Sequence, residues 1–77
     1  MHKKDPQPTI LRGLLVLEKV IQAKRPVSVT DLIELLELPK PTVSRLLRQL
    51  ETEGLLHREP VKRRYLPGAR AINMALG

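Results

Sequence analysis

Four breaks decide what this chain can become. Pro26, the Glu37-Leu38-Pro39 connection, Gly54 and the Pro67-Gly68 pair each interrupt a regular pattern. Proline fixes φ and removes a backbone donor, and glycine accepts the left-handed conformation that ends a helix. The segments between these breaks each hold one short helix or, between Gly54 and Pro67, one hairpin, and the spacing of apolar residues says which kind.

Thr9 to Ala23 reads as a helix that Thr9 can cap. Ile10, Leu14, Leu17, Val20 and Ile21 form one stripe, and Leu11 and Leu15 fall to its side as a second apolar patch. Two readings fit that patch: burial beneath the C-terminal segment, or contact with another subunit. Ser28 caps a second helix, Val29 to Leu36, with capping-box spacing to Asp31 and with Leu32, Leu35 and Leu36 facing inward. A third helix runs from about Lys40 to Glu53. Pro41 is tolerated in its first turn, and Gly54 stands just past its end. Its stripe is Val43, Leu46, Leu47 and Leu50. Beyond Gly54 the period shortens. Leu55 to Glu59 and Arg63 to Leu66 read as strands around a turn at Pro60-Val61-Lys62, with Tyr65 packing the base of the hairpin onto the core. Ala69 to Leu76 is a last short helix. Met1 to Pro8, polar and proline-bearing, is expected to be a disordered leader.

Composition narrows the function. A chain of 77 residues makes one domain with a small core. With no cysteine there is no disulfide, thiolate zinc site or cysteine nucleophile, and His2 and His57 make a poor metal pair. No nucleophile–base pair or paired-carboxylate site appears, so neither an enzyme nor a cofactor or metal site is expected. The net charge of +6 calls for an anionic partner: nucleic acid, an acidic protein or an anionic membrane, with nucleic acid favoured. Tyr65 is the only aromatic residue, which argues against single-strand binding by base stacking. The apolar run Leu14 to Leu17 is far too short to span a bilayer and no signal-peptide pattern is present, so a cytoplasmic placement is expected.

Three helices, a hairpin and a fourth helix are the order of a winged helix-turn-helix, mainly α with a small β-hairpin. Its third helix would then be the recognition helix in a DNA major groove. On a helical wheel the face opposite the core stripe holds Pro41, Arg45, Arg48 and Thr52, flanked by Thr42 and Ser44. Arginine forks onto guanine O6 and N7, hydroxyls bond bases or phosphates, and proline can pack on a thymine methyl. These five, Pro41, Thr42, Ser44, Arg45 and Arg48, are the candidate base contacts. Glu51 and Glu53 lie in the last turns, and the positive end of the helix dipole at Lys40 favours phosphate. Lys62, Arg63 and Arg64, with Arg58, place four cations on the hairpin. A wing beside the recognition helix would carry them to flanking phosphates or the minor groove.

The stretches "ILRGLLVLEKV", "LPKPTVSRLLRQLETEGLL" and "YLPGARAINMALG" resemble the N-terminal DNA-binding domain of IclR-type transcription regulators, over Thr9 to Gly77. The resemblance implies a homodimeric repressor or activator, with repressor the reading taken, on a near-palindromic operator. It implies that the first and last helices pair the subunits, which assigns Leu11, Leu15, Ile72 and Leu76 to the interface. It carries base and phosphate contacts over to Lys40, Pro41, Thr42, Ser44 and Arg45, with Arg48 beside them. The chain departs from the family pattern at three places. Glu37 stands where glycine is usual in the turn, Pro41 replaces a common serine, and the wing "REPVKRRY" is more basic and lacks glycine. Family members carry an effector-binding domain after the final helix. These 77 residues stop before it, so no small-molecule pocket is expected within them. The competing readings are a winged helix that docks an acidic protein, and RNA binding through the same basic surface.

Overall fold

The computed structural model describes residues 9–77; the expected leader over residues 1–8 lies outside them. Six elements follow in the expected order: α1 (Thr9–Ala23), α2 (Val29–Leu36), α3 (Lys40–Thr52), β1 (Leu56–Arg58), β2 (Tyr65–Pro67) and α4 (Ala69–Leu76).

Local chemistry sets the boundaries. After α1, Lys24 adopts a left-handed φ of 55° ahead of Pro26. The capping box is complete: the Asp31 amide donates to Ser28 Oγ at 3.0 Å, and the Ser28 amide donates to the Asp31 carboxylate at 3.1 Å. The turn between α2 and α3 is made by Glu37, left-handed at φ 55° and ψ 40°. Its amide donates to the Ile33 carbonyl at 2.9 Å, and Leu38 packs on the core just after it. α3 closes in a Schellman arrangement. The Gly54 amide donates to Glu51 and the Leu55 amide to Leu50, both at 2.9 Å, with Gly54 at φ 77°.

The core is one cluster. α1 contributes Val16 and Val20, α2 contributes Leu32, and α3 contributes Val43, Leu46 and Leu47. Val27, Leu56 and Tyr65 close it. Tyr65 thus anchors the wing as expected, and its backbone exchanges two hydrogen bonds with Val27, at 3.0 and 2.7 Å, adding one rung beyond the hairpin. In the hairpin, Leu56 pairs with Pro67, His57 with Leu66 and Arg58 with Tyr65, antiparallel.

Four expectations need correction. Thr9 is itself helical rather than a cap. Leu35 is exposed, and Ile33 packs on the core instead. The second strand begins two positions later than expected because Arg63 is left-handed, φ 57°, and belongs to the turn; Pro67 is its last paired residue rather than its breaker. The largest correction concerns α1. Ile10, Leu14 and Ile21 are exposed, while Val16, absent from the expected stripe, is fully buried. Apolar residues cover so much of this helix that the apparent stripe centres between two faces. One faces the core through Val16 and Val20, and the other points outward.

Candidate nucleic-acid interface

α3 is held against the core by Val43, Leu46 and Leu47, so its opposite side is fixed in direction. The expected site residues divide around that side by their angle on the helix, at about 100° per residue. Pro41 and Arg45 stand exposed on the crest. Lys40, Ser44 and Arg48 lie on the flank towards the wing, and half-buried Thr42 lies on the other flank. Thr52 shares the crest, but its hydroxyl donates to the Arg48 carbonyl at 2.9 Å and is used within the helix.

The wing-side flank of α3 forms one wall of a cleft of about 460 Å³, with α2 and the hairpin as the others. Four cations converge there from three elements: Lys40 and Arg48 from α3, Arg58 from β1 and Arg63 from the wing turn, with Ser44 among them and Glu51 as the acid. The sequence placed the basic wing beside the recognition helix, and the fold brings cations from both into a single cleft. Thr30, in the first turn of α2, also lines the cleft and escaped the sequence reading. Its only signal was its place beside the Ser28 cap, and nothing in the pattern said that this turn faces the wing.

The remaining wing cations are not equivalent. Lys62 is exposed at the tip. Arg64 donates from Nε to the Glu59 carboxylate at 3.0 Å with both partly buried, so it braces the wing rather than standing free. The turn itself is closed by the Glu59 amide donating to the Arg64 carbonyl at 2.8 Å and by the Arg63 amide donating to the Glu59 carbonyl at 3.1 Å. At its other end the site has an open helix start. Pro39 occupies the cap position of α3 without a side-chain bond, and the first ladder bond runs from the Val43 amide to the Pro39 carbonyl at 3.1 Å. The free amides before Val43 and the helix dipole there favour an anion.

Away from this basic surface lies an apolar one. Ile10, Leu11, Leu14 and Ile21 of α1 and Ile72 and Leu76 of α4 are exposed. Ile21 lines both a shallow groove with Leu11, Leu14 and Leu15 and a smaller one with Ile72 and Leu76, so the two grooves form one face. Leu15 is half-buried at its margin. No helix among the described residues is long and apolar enough to cross a membrane.

A three-helix core whose third helix presents a basic crest beside a basic hairpin is a winged helix-turn-helix, the architecture of a DNA-binding module. Residues 9–60 match the IclR helix-turn-helix domain, and the chain belongs to that family of DNA-binding transcription regulators. Over 66 residues, 86% of this chain, it is 35% identical to the probable transcriptional regulator SauR of Cupriavidus necator, of which this covers 26%. Among solved structures, the IclR transcriptional regulator of Alicyclobacillus acidocaldarius superposes with a TM-score of 0.80 at 29% identity, over 92% of this chain and 29% of that one. An IclR family regulator from Brucella abortus reaches 0.82 at 24% identity, over 99% and 29%, a likeness of fold. The chain therefore spans little more than a quarter of the length of these relatives.

Proposed function

We propose that this domain binds double-stranded DNA sequence-specifically as a homodimeric transcription regulator in the cytoplasm, with α3 in the major groove and the wing on the flanking backbone. The observation that carries this reading is the convergence of Lys40, Arg48, Arg58 and Arg63 on one cleft beside the α3 crest. Arg45 and Pro41 on the crest reach base edges, and Thr42, Ser44 and Arg48 supply further contacts from the flanks. Lys40, Arg58, Lys62 and Arg63 neutralise phosphates, which fixes register and makes affinity fall with salt. Arg64 serves the same surface by bracing the wing through Glu59. The apolar face of Leu11, Leu14, Leu15, Ile21, Ile72 and Leu76 pairs two subunits, so the operator is an inverted repeat. A dimer seated on such a repeat excludes other proteins from the DNA it covers, which favours repression.

Selection from a random duplex library at near-physiological salt tests the reading. Enrichment of an inverted repeat is the expected outcome. A single enriched half-site would keep the base-reading face and remove the dimer. Salt-sensitive binding without enrichment would remove base reading altogether, and no binding would leave a protein-docking module.

A further inference from the structure

α4 is fastened to the end of α3 rather than to its middle. The Arg70 guanidinium, through Nη1, donates to the Glu53 backbone carbonyl at 3.1 Å and to the Glu53 carboxylate at 2.9 Å. The Arg70 amide donates to the Gly54 carbonyl at 3.1 Å, and the Gly68 amide donates to the Leu55 carbonyl at 2.8 Å. Gly68 lies so close that an added Cβ would overlap the Gly54 carbonyl. The residue that begins α4 is thus in van der Waals contact with the residue that ends α3, and one side chain spans the joint. By helical spacing, Ile72 and Leu76 lie about 200° and 240° around α4 from Arg70. The same short helix is bonded through one side to the residues that cap the recognition helix, Glu53 and Gly54, and presents the apolar face with the other.

We propose that Arg70 is a positioning residue that fixes the angle between α3 and the apolar face of α4, and thereby the distance between the two recognition helices of a dimer. The inference rests on the paired-subunit reading above. The backbone bonds at Gly54 and Gly68 act as a hinge pin, and the Arg70 fork onto a main-chain carbonyl and a carboxylate stops rotation about it. The side-chain hydrogen bonds of Arg70 go to Glu53, which does not line the DNA-facing cleft, so its effect is on spacing and not on base choice. Two half-sites bind cooperatively only when the linked modules reach both, so a loosened joint loses cooperativity and tolerates wrong spacings.

The test uses the intact chain on three duplexes: one half-site, the inverted repeat at its selected spacing, and the same repeat with its spacing changed by one base pair. Arg70→Ala is expected to bind the half-site within about twofold of the parent. It should bind the repeat roughly tenfold more weakly, with its discrimination between spacings largely gone. Arg70→Lys, which keeps the charge and a donor able to meet both acceptors but on a side chain of different reach, should recover part of that discrimination. Unchanged spacing discrimination in Arg70→Ala would overturn the positioning role alone. An equal loss on the half-site would overturn it too, because Arg70 would then be supporting the fold or the DNA face. A parent chain with no preference for the repeat would overturn the paired-subunit reading and this proposal with it.

Discussion

α1 and α3 are both amphipathic on paper, yet they spend their apolar residues differently. In α3 the apolar stripe and the core face coincide, and apart from Pro41 the opposite face is polar or basic. In α1 the core takes Val16 and Val20, while Ile10, Leu11, Leu14 and Ile21 remain in water. A helix that buries one stripe and is basic elsewhere meets an anion. A helix apolar on two faces is left with a surface that only another protein surface can cover. On the function proposed above, the two helices mark two different partners, DNA for α3 and a second subunit for α1.

The sharpest way to break that contrast is to truncate one leucine on each helix. Leu47 is 0% exposed and Leu14 is 55% exposed. Leu47→Ala should cost about 2–5 kcal/mol from lost burial plus the cavity left behind. That is a large share of the stability of so small a domain. Leu14→Ala should change monomer stability by less than about 0.5 kcal/mol, as exposed substitutions do. Urea unfolding at low protein concentration measures both. The comparison gains a second axis in sedimentation, where Leu14→Ala should weaken self-association. A large stability loss in Leu14→Ala would mean that the outer face of α1 is core after all.

On the basic side, Arg45 and Arg63 should separate base reading from phosphate attraction. Arg45→Ala should cost about 1–3 kcal/mol at its preferred base and relax choice at that position. Arg63→Ala should weaken binding to all sequences alike and lower the salt slope by about one. Titrations of matched and mismatched duplexes at several salt concentrations give both numbers. Equal losses on every sequence for Arg45→Ala would move Arg45 to the backbone group.

How far these differences could be read from the sequence depends on range. α2 and α3 were legible because their signals are local: a capping box at Ser28 and Asp31, Pro41 in a first turn, Gly54 at an end, and a stripe flanked by charge. The outer face of α1 was misassigned because helical periodicity finds the mean apolar direction and cannot divide a wide arc into two faces. The cleft was half legible. Each cation could be placed on its element, but their convergence depends on where the wing lies, and Tyr65, Val27 and the Gly54–Gly68 contact set that through residues distant in sequence. Thr30 was out of reach for the same reason.

The α2 cap offers a smaller test on the core side of the comparison. Ser28→Ala should cost about 1 kcal/mol by freeing the Asp31 amide. The Asp31 carboxyl is held below its ordinary value first by the Ser28 amide, which outweighs the opposing effect of desolvation; the Ser28 hydroxyl and Arg25 lower it further by lesser amounts. A carboxyl depressed in the folded state adds stability above its unfolded pKa and loses it as pH falls through the folded one. The stability gap between the parent and Asp31→Asn should therefore be full at neutral pH and close on acidification through and below the usual carboxylate range. A gap that stays constant down to strong acid would mean that the charge contributes nothing to the cap.

The smallest expected effect lies at the turn joining α2 to α3, where Glu37 holds the left-handed conformation that its family usually gives to glycine. A non-glycine residue there is strained by about 1–2 kcal/mol. The Ile33 carbonyl bond and the burial of Leu38 hold it in place. Glu37→Gly removes that strain but adds freedom to the unfolded chain, which returns about 0.4–1 kcal/mol. The net expectation is a gain of roughly 0.5 kcal/mol, the difference of the two effects. It would appear as a higher urea midpoint with an unchanged slope. DNA affinity should shift little at the optimal site, because α3 is still gripped by the core and by Arg70. A loss of stability in Glu37→Gly would mean that the glutamate side chain contributes more than its backbone costs. The departure from the family at this turn would then be an adaptation of the turn rather than a tolerated strain.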